Sequence, residues 1–384
     1  MLGHAPSTAR QEVKMHEHWV MILLLAAALA GCSTPYRPPV VVKGSDAVPA
    51  LAGMLAEAPA PKQLDVMLVH GMCTHEANWA EPLADHLAQQ IDAQARSLSS
   101  GRAVIEAAPG RIGVRWHLRE AAGGQLHFAE LTWSAVFAEL KQQLAFDMTG
   151  EASDCAADAE CRPRRAKLNG MLKDKLLNDC LADVVIYQGQ SRDAMRSRMV
   201  VALQEFAERS GDEAVPLAIV SESLGSKIVF DALLQMLDQP PSSQARTAGV
   251  RIGSRLAAVY MLANQLPLLG LAEQNVDAKG NNMALGGALQ RLLERLRAPG
   301  LRKSTLGAIR LVAFTDPNDL LSYRLLPSGD RSLGRVEVAD VLVSNRPTWL
   351  SLFEWPPSAH TDYGFNDDVL ALIACGQPRS GRCR

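Results

Sequence analysis

Val215-Pro216-Leu217-Ala218-Ile219-Val220-Ser221-Glu222-Ser223-Leu224-Gly225-Ser226-Lys227-Ile228-Val229-Phe230 is the stretch on which the reading of the fold turns. Its first six residues form a short apolar run carrying Val215, Ile219 and Val220, the pattern of a parallel strand buried on both faces. Beyond Gly225, the apolar residues Ile228, Val229, Phe230, Ala232, Leu233, Leu234 and Leu237 keep helical spacing. A tight strand-to-helix turn lifts the side chain at its apex above the sheet, and here that residue is Ser223. The N–H of Leu224 would then face charge developing on a bound carbonyl oxygen. Positions two before and two after the serine must be small, because strand and helix backbones nearly touch there. Gly225 meets that demand, and Ser221 stands where glycine is usual. Taken alone, the stretch reads equally well as an ordinary strand-to-helix turn.

A nucleophilic serine needs a base, and the base needs an orienting acid. Downstream of Ser223 the only histidine is His360, in Trp355-Pro356-Pro357-Ser358-Ala359-His360-Thr361-Asp362-Tyr363-Gly364, which reads as a loop. By itself a loop histidine is more often a solvated surface residue. The intervening chain changes that weighting. It carries strand candidates at Leu256–Leu262, Ala308–Phe314 and Val336–Val343, and the middle one runs into Thr315-Asp316-Pro317-Asn318-Asp319. A carboxylate just past a strand end is where the acid belongs. Asp319 is the first choice and Asp316 the alternative; the plain reading of this segment is a capping turn.

The order strand, Ser223, helix, strand, helix, strand, Asp, strand, His360, helix resembles the α/β-hydrolase family, whose triad runs nucleophile, acid, histidine. The resemblance covers about residues 63–375. It implies an α/β fold, the mostly parallel, helix-flanked sheet of an α/β-hydrolase, with Ser223, Asp319 and His360 as catalytic residues. Leu64-Asp65-Val66-Met67-Leu68-Val69-His70-Gly71-Met72 strengthens it. In that family an early strand ending in His-Gly supplies an oxyanion N–H from the next residue, by position Met72, and Leu224 supplies the other. His70 is then a structural neighbour rather than the base; His75 lines the site or sits on a surface loop. Ser221 departs from the family's first elbow glycine.

Between these motifs, Asn78–Ala95, Val136–Phe146 and Met195–Phe206 have helical spacing, and Ile112–Leu118 and Leu126–Trp133 alternate like strands around a turn at Gly123-Gly124. Residues 134–180, with their polar centre, are read as an insertion that is either a lid or a surface loop. No repeat, phosphate-binding loop, dinucleotide fingerprint or zinc-ligand spacing is present, and neither metal nor cofactor is called for.

Trp19–Ala30 is a short apolar stretch ending in Leu29-Ala30-Gly31-Cys32-Ser33, which resembles a bacterial lipoprotein box. That resemblance implies a signal peptide over residues 1–31, lipidation of Cys32 and an envelope location, with Ser33 favouring the outer membrane, facing the periplasm. Residues 32–62, rich in Pro and Ala, read as a flexible tether, and 63–384 as one domain. The six remaining cysteines are expected to pair as Cys155–Cys161 and Cys375–Cys383 by proximity, leaving Cys73 with Cys180. A net charge of −2 gives no electrostatic support for nucleic-acid binding. The expectation is a membrane-anchored serine esterase or lipase-like hydrolase acting on carboxylic or lipid esters. The alternatives are a transacylase with the same triad and a non-catalytic envelope lipoprotein.

Overall fold

Leu217–Glu222 (β6) lies at the centre of a nine-stranded sheet, and each residue from Leu217 to Ser221 is buried, as a strand covered on both faces requires. The computed structural model describes residues 19–21, 39–44, 48–149, 165–275, 287–298, 308–325, 336–350, 352–378 and 383. The other strands are β1 (Val40–Gly44), β2 (Gln63–Val69), β3 (Arg96–Leu98), β4 (Gly113–Ala121), β5 (Gly124–Thr132), β7 (Leu256–Leu262), β8 (Ile309–Thr315) and β9 (Val336–Leu342). Their order is β1-β9-β8-β7-β6-β2-β5-β4-β3. The six strands from β9 to β5 run parallel, while β1 and the β4–β3 pair add antiparallel edges. The protein is therefore α/β with a mostly parallel sheet flanked by helices.

Alternation along the strands feeds two cores. In β2, Leu64, Val66 and Leu68 point into one, and Met67 and Val69 into the other. The first is covered by α1 (Leu51–Glu57), α2 (Glu81–Ile91) and α8 (Asp367–Cys375). The second is covered by α3 (Arg192–Arg209), α4 (Leu224–Leu237), α5 (Gln244–Arg255) and α6 (Gly287–Leu296). A short helix, α7 (Pro356–Thr361), precedes α8 in the chain. Register aligns Val69 with Ser221 and Ser221 with Met261. Strand ends that leave the sheet at one level bring their following loops together, the usual place for a ligand in a parallel α/β sheet.

Several sequence expectations need correction. The stretch 32–62 is not a tether throughout: β1 pairs with β9, and α1 buries Leu51, Met54 and Leu55 against the sheet. Its alanines and prolines masked those apolar anchors. The helix expected over 136–146 is broken into Ser134–Val136, Ala138–Gln142 and Ala145–Asp147. The β4–β5 turn is centred on Ala122-Gly123, both at positive φ, one residue earlier than expected. Cys73–Cys180 and Cys375–Cys383 are bonded, whereas Cys32, Cys155 and Cys161 lie outside the described residues. No described helix is long and apolar enough to cross a membrane.

At the amino end of the strands a buried ion pair ties three elements. The guanidinium of Arg255, at the end of α5, is bonded to Asp65 of β2, to Ser210 Oγ at 2.7 Å and to the Val215 carbonyl at 2.7 Å. Burial pushes the Asp65 carboxyl up, but His127, Arg255 and Gln63 outweigh it and hold it at about 2. Asp65→Ala leaves a fully buried guanidinium without its partner, so unfolding free energy should fall by about 3–5 kcal/mol. Chemical denaturation of the two proteins measures it; a loss below about 1 kcal/mol would contradict the account.

Candidate active site

Ser223 occupies the turn between β6 and α4 at φ 51° and ψ −126°, a conformation costly for any residue with a Cβ, about 1–3 kcal/mol. Its N–H donates to the Leu262 carbonyl at the end of β7 (2.8 Å) and its carbonyl accepts from Ser226 N–H (3.2 Å), so both neighbours hold the strained residue. The turn is also tight against β2. A Cβ on Gly225 would come 2.1 Å from the His70 carbonyl oxygen, and one on Gly71 would come 3.0 Å from Ser223 Cβ. Ser221, the residue in the usual glycine position, is fully buried, and its hydroxyl meets Ser226 Oγ at 2.9 Å. The substitution thus adds a bond across the turn that glycine lacks.

His360 Nε2 lies 3.2 Å from Ser223 Oγ. His360 Nδ1 lies 2.9 Å from each oxygen of Asp319. A carboxylate only accepts, so Nδ1 carries the hydrogen and Nε2 faces the serine as acceptor. All three residues are buried. They come from three carboxyl-terminal loops, after β6, after β8 and after β9. His360 itself sits on α7 rather than on the expected loop. Pro356 and Pro357 open that helix, where a missing N–H costs nothing. Asp316, the alternative acid, does not reach His360; its carboxyl takes the N–H groups of Asn318 and Asn345.

Sequence reading missed four contributors. Tyr363 donates its hydroxyl to Asp319 Oδ2 (3.1 Å) and accepts from Asp316 N–H (2.7 Å). Gln265 Nε2 comes within 3.4 Å of His360 Nε2. Glu222 lies beside Ser223, and burial pushes its carboxyl up to about 7. The fourth is the helical segment Lys167–Gln188, whose middle, Leu172–Leu181, has wide π-type turns. Its apolar residues Leu168, Met171, Leu172, Leu176 and Cys180 recur three or four apart, a signal that was present in the sequence.

That segment roofs a cavity of about 220 Å³, walled by Met72, Met171, Leu172, Leu176, Trp355 and His360. Lys175 lies on its wall too. The carboxyl-terminal part of the 134–180 insertion is therefore next to the site; residues 150–164 lie outside the described set. The Cys73–Cys180 disulfide fastens the roof to the loop that follows β2. Cys73 N–H donates to Asp183 (2.9 Å), Thr74 N–H to Asp179 (3.2 Å), and Lys141 Nζ bridges Asp179 (2.7 Å) and Asp183 (3.1 Å). Burial raises the Asp183 carboxyl to about 6 in spite of Lys141.

His70 is locked rather than free. Its Nδ1–H donates to the Gly71 carbonyl (2.8 Å) and its Nε2 accepts from Trp133 N–H (2.9 Å). Burial and the neighbouring His75 hold it neutral, well below the ordinary range. It stacks between Trp133 and His75. Gly71 C=O and Met72 N–H belong to one planar peptide, so pinning the carbonyl aims the Met72 N–H the opposite way. Leu224 opens α4, and its N–H has no acceptor within the helix.

No protein-family model, curated protein or solved structure matches this chain. The site therefore rests on its own geometry. Gly225→Ala should force the turn away from the His70 carbonyl and lower stability by about 1–3 kcal/mol. Thermal and denaturant melts check it; an unchanged midpoint would show that the two backbones are not in contact.

Proposed function

We propose that this chain is a serine hydrolase with an α/β-hydrolase fold that cleaves carboxylic esters of lipid type. One observation carries the reading: a buried serine in a strained strand-to-helix turn, hydrogen-bonded to a histidine whose far nitrogen is held by a carboxylate. The strand order around β6 supports it, since the nucleophile, acid and histidine loops leave one edge of a parallel sheet.

Ser223 Oγ attacks the ester carbonyl carbon, and His360 Nε2 takes its proton. Asp319 keeps the imidazole in the tautomer that can accept, and stabilises the imidazolium that forms. The N–H groups of Met72 and Leu224 receive the oxyanion. His360 then protonates the leaving alcohol, and water, activated by the same nitrogen, releases the acid from the acyl-enzyme. These residues are sufficient for the chemistry, and no step needs a cofactor or metal.

The cavity beside His360 is the acyl pocket in this reading. A cavity of about 150 Å³ holds benzene, so 220 Å³ of mostly apolar space takes a chain of about eight or nine carbons. Leu320 beside Asp319, and Trp349, Leu352 and Phe353 in the segment leading to Trp355, are exposed apolar side chains suited to water-poor substrates. In the same reading Cys32 bears the lipid anchor and keeps the enzyme at the outer membrane, facing the periplasm.

A fluorophosphonate probe should label the wild type and leave Ser223→Ala unlabelled; equal labelling of both would refute the assignment. A folded wild type with neither labelling nor ester turnover would point instead to a non-catalytic lipoprotein. Across a 4-nitrophenyl ester series the optimum should fall near about eight acyl carbons, and Leu172→Trp, which fills the pocket, should move it to shorter chains. His70→Ala frees the Gly71 carbonyl and should cut kcat by about tenfold to a hundredfold with little change in KM. A rise in KM alone would assign His70 to substrate binding.

A further inference from the structure

Asp316 opens the turn that carries Asp319, yet its carboxyl faces Glu354 instead of His360. Both carboxyls are buried. Asn318 spans them, its N–H on Asp316 Oδ1 (2.9 Å) and its Nδ2 on Glu354 Oε2 (2.7 Å). Consecutive N–H groups reach them from the segment after β9, Asn345 to Asp316 Oδ2 (2.7 Å) and Arg346 to Glu354 Oε1 (3.0 Å). Asn318 and the consecutive amides of Asn345 and Arg346 thus hold the two carboxyls side by side. Two buried carboxylates sharing one site repel each other, which favours one of them keeping its hydrogen.

The surroundings favour keeping that hydrogen. Neither carboxyl forms an ion pair with a described Lys or Arg. The Arg346 side chain turns to Asp362. Burial raises the Asp316 carboxyl, and the Asp319 charge on the same turn adds to it. Burial, then the charge of Asp316, raises Glu354 to about 7. Tyr363, facing from the turn after α7, keeps its phenolic proton because burial raises it well above the ordinary range.

The pair joins the segments that carry the site. Asn345 Nδ2 donates to the Ala359 carbonyl (2.7 Å), one residue before His360. Glu354 adjoins Trp355, whose carbonyl accepts Ala359 N–H at the start of α7 (3.0 Å). Asp316 N–H donates to Tyr363, which donates to Asp319. We propose that Asp316 and Glu354 share one proton and thereby position Asp319 and His360 against each other. They are positioning residues, and the role rests on reading Ser223, His360 and Asp319 as a triad. Loss of the proton leaves two buried like charges with no described Lys or Arg paired to either. The acid turn then separates from Asn345, Arg346 and Glu354, and the His360–Asp319 hydrogen bonds lengthen.

The sign follows from linkage. The folded protein keeps a proton on Glu354 that the unfolded chain releases at its ordinary 4.5, so the pair's contribution is complete below that pH and is lost as pH rises through about 7. Glu222 titrates in the same range, pushed up by burial, and so must be separated from the pair in any test.

The test measures fluorophosphonate labelling rate and kcat/KM for 4-nitrophenyl octanoate between about pH 5 and pH 9, with thermal melts over the same range. The proteins are wild type, Glu354→Gln, Glu354→Ala and Glu222→Gln. The wild type should lose rate on an alkaline limb centred near the Glu354 value of about 7. Glu354→Gln, whose amide donates permanently to Asp316, should keep the rate at about pH 6 and lose the limb. Glu354→Ala should be slower at every pH by about tenfold to a hundredfold. Glu222→Gln should retain the limb. The wild-type melting temperature should fall with pH relative to that of Glu354→Gln. An unchanged limb in Glu354→Gln, its loss in Glu222→Gln, or parallel melts would overturn the proposal. If Ser223 is unlabelled at every pH, the triad reading fails and the positioning role fails with it. The melts then decide the shared proton by itself.

Discussion

The close approach of the β6–α4 turn to the end of β2 is the constraint on which the rest of the site depends. Gly225 sits so near the His70 carbonyl that no side chain fits between them, and Gly71 is similarly pressed against Ser223. Ser223 is consequently held at a strained φ and ψ by hydrogen bonds on both sides. Strain of about 1–3 kcal/mol is tolerable there because the surrounding core is large, parallel and covered on both faces. The same approach sets the Met72 loop beside the serine, where its peptide is aimed by a locked, neutral histidine.

Each loop that contributes to the site is tied to a neighbour by polar or covalent links instead of being left on its own. The loop after β2 is joined to the roof by a disulfide and by two carboxylates that share Lys141. The turn after β8 is joined to the segment after β9 by Asn318, Asn345 and a carboxyl pair. Buried carboxyls without cations are costly unless they hold a proton, which makes such a fastening sensitive to pH while a disulfide is not.

Much of the architecture was legible in the chain. Leu256–Leu262 is a strand at the bounds its apolar run indicates, and the strands at 309–315 and 336–342 fall within a residue of theirs. Buried parallel strands announce themselves as uninterrupted apolar runs, and a helix such as Arg192–Arg209 by apolar residues three and four apart. The stretch before β2 was misread because alanine and proline dominate its composition, while Leu51, Met54 and Leu55 carry its packing. The roof at 167–188 is harder to read because Lys173, Asp174, Lys175 and Asp179 stand between its apolar residues and dilute an otherwise regular stripe.

By itself the sequence determined which residue types stand at which strand ends: Ser223 after β6, Asp316 and Asp319 after β8, His360 after β9, and His70-Gly71 after β2. Those assignments are local, set by apolar runs and by turn residues. Only the tertiary structure decided between the two aspartates. Both lie on one turn, three residues apart, and nothing local separates them. Asp319 meets His360 Nδ1 because α7 and Tyr363 pack over that side of the turn, while Asp316 is held by Asn345 and linked through Asn318 to Glu354 on the other. Which carboxyl becomes the partner of the histidine is a matter of which loop from a distant strand covers it, and that is a property of packing.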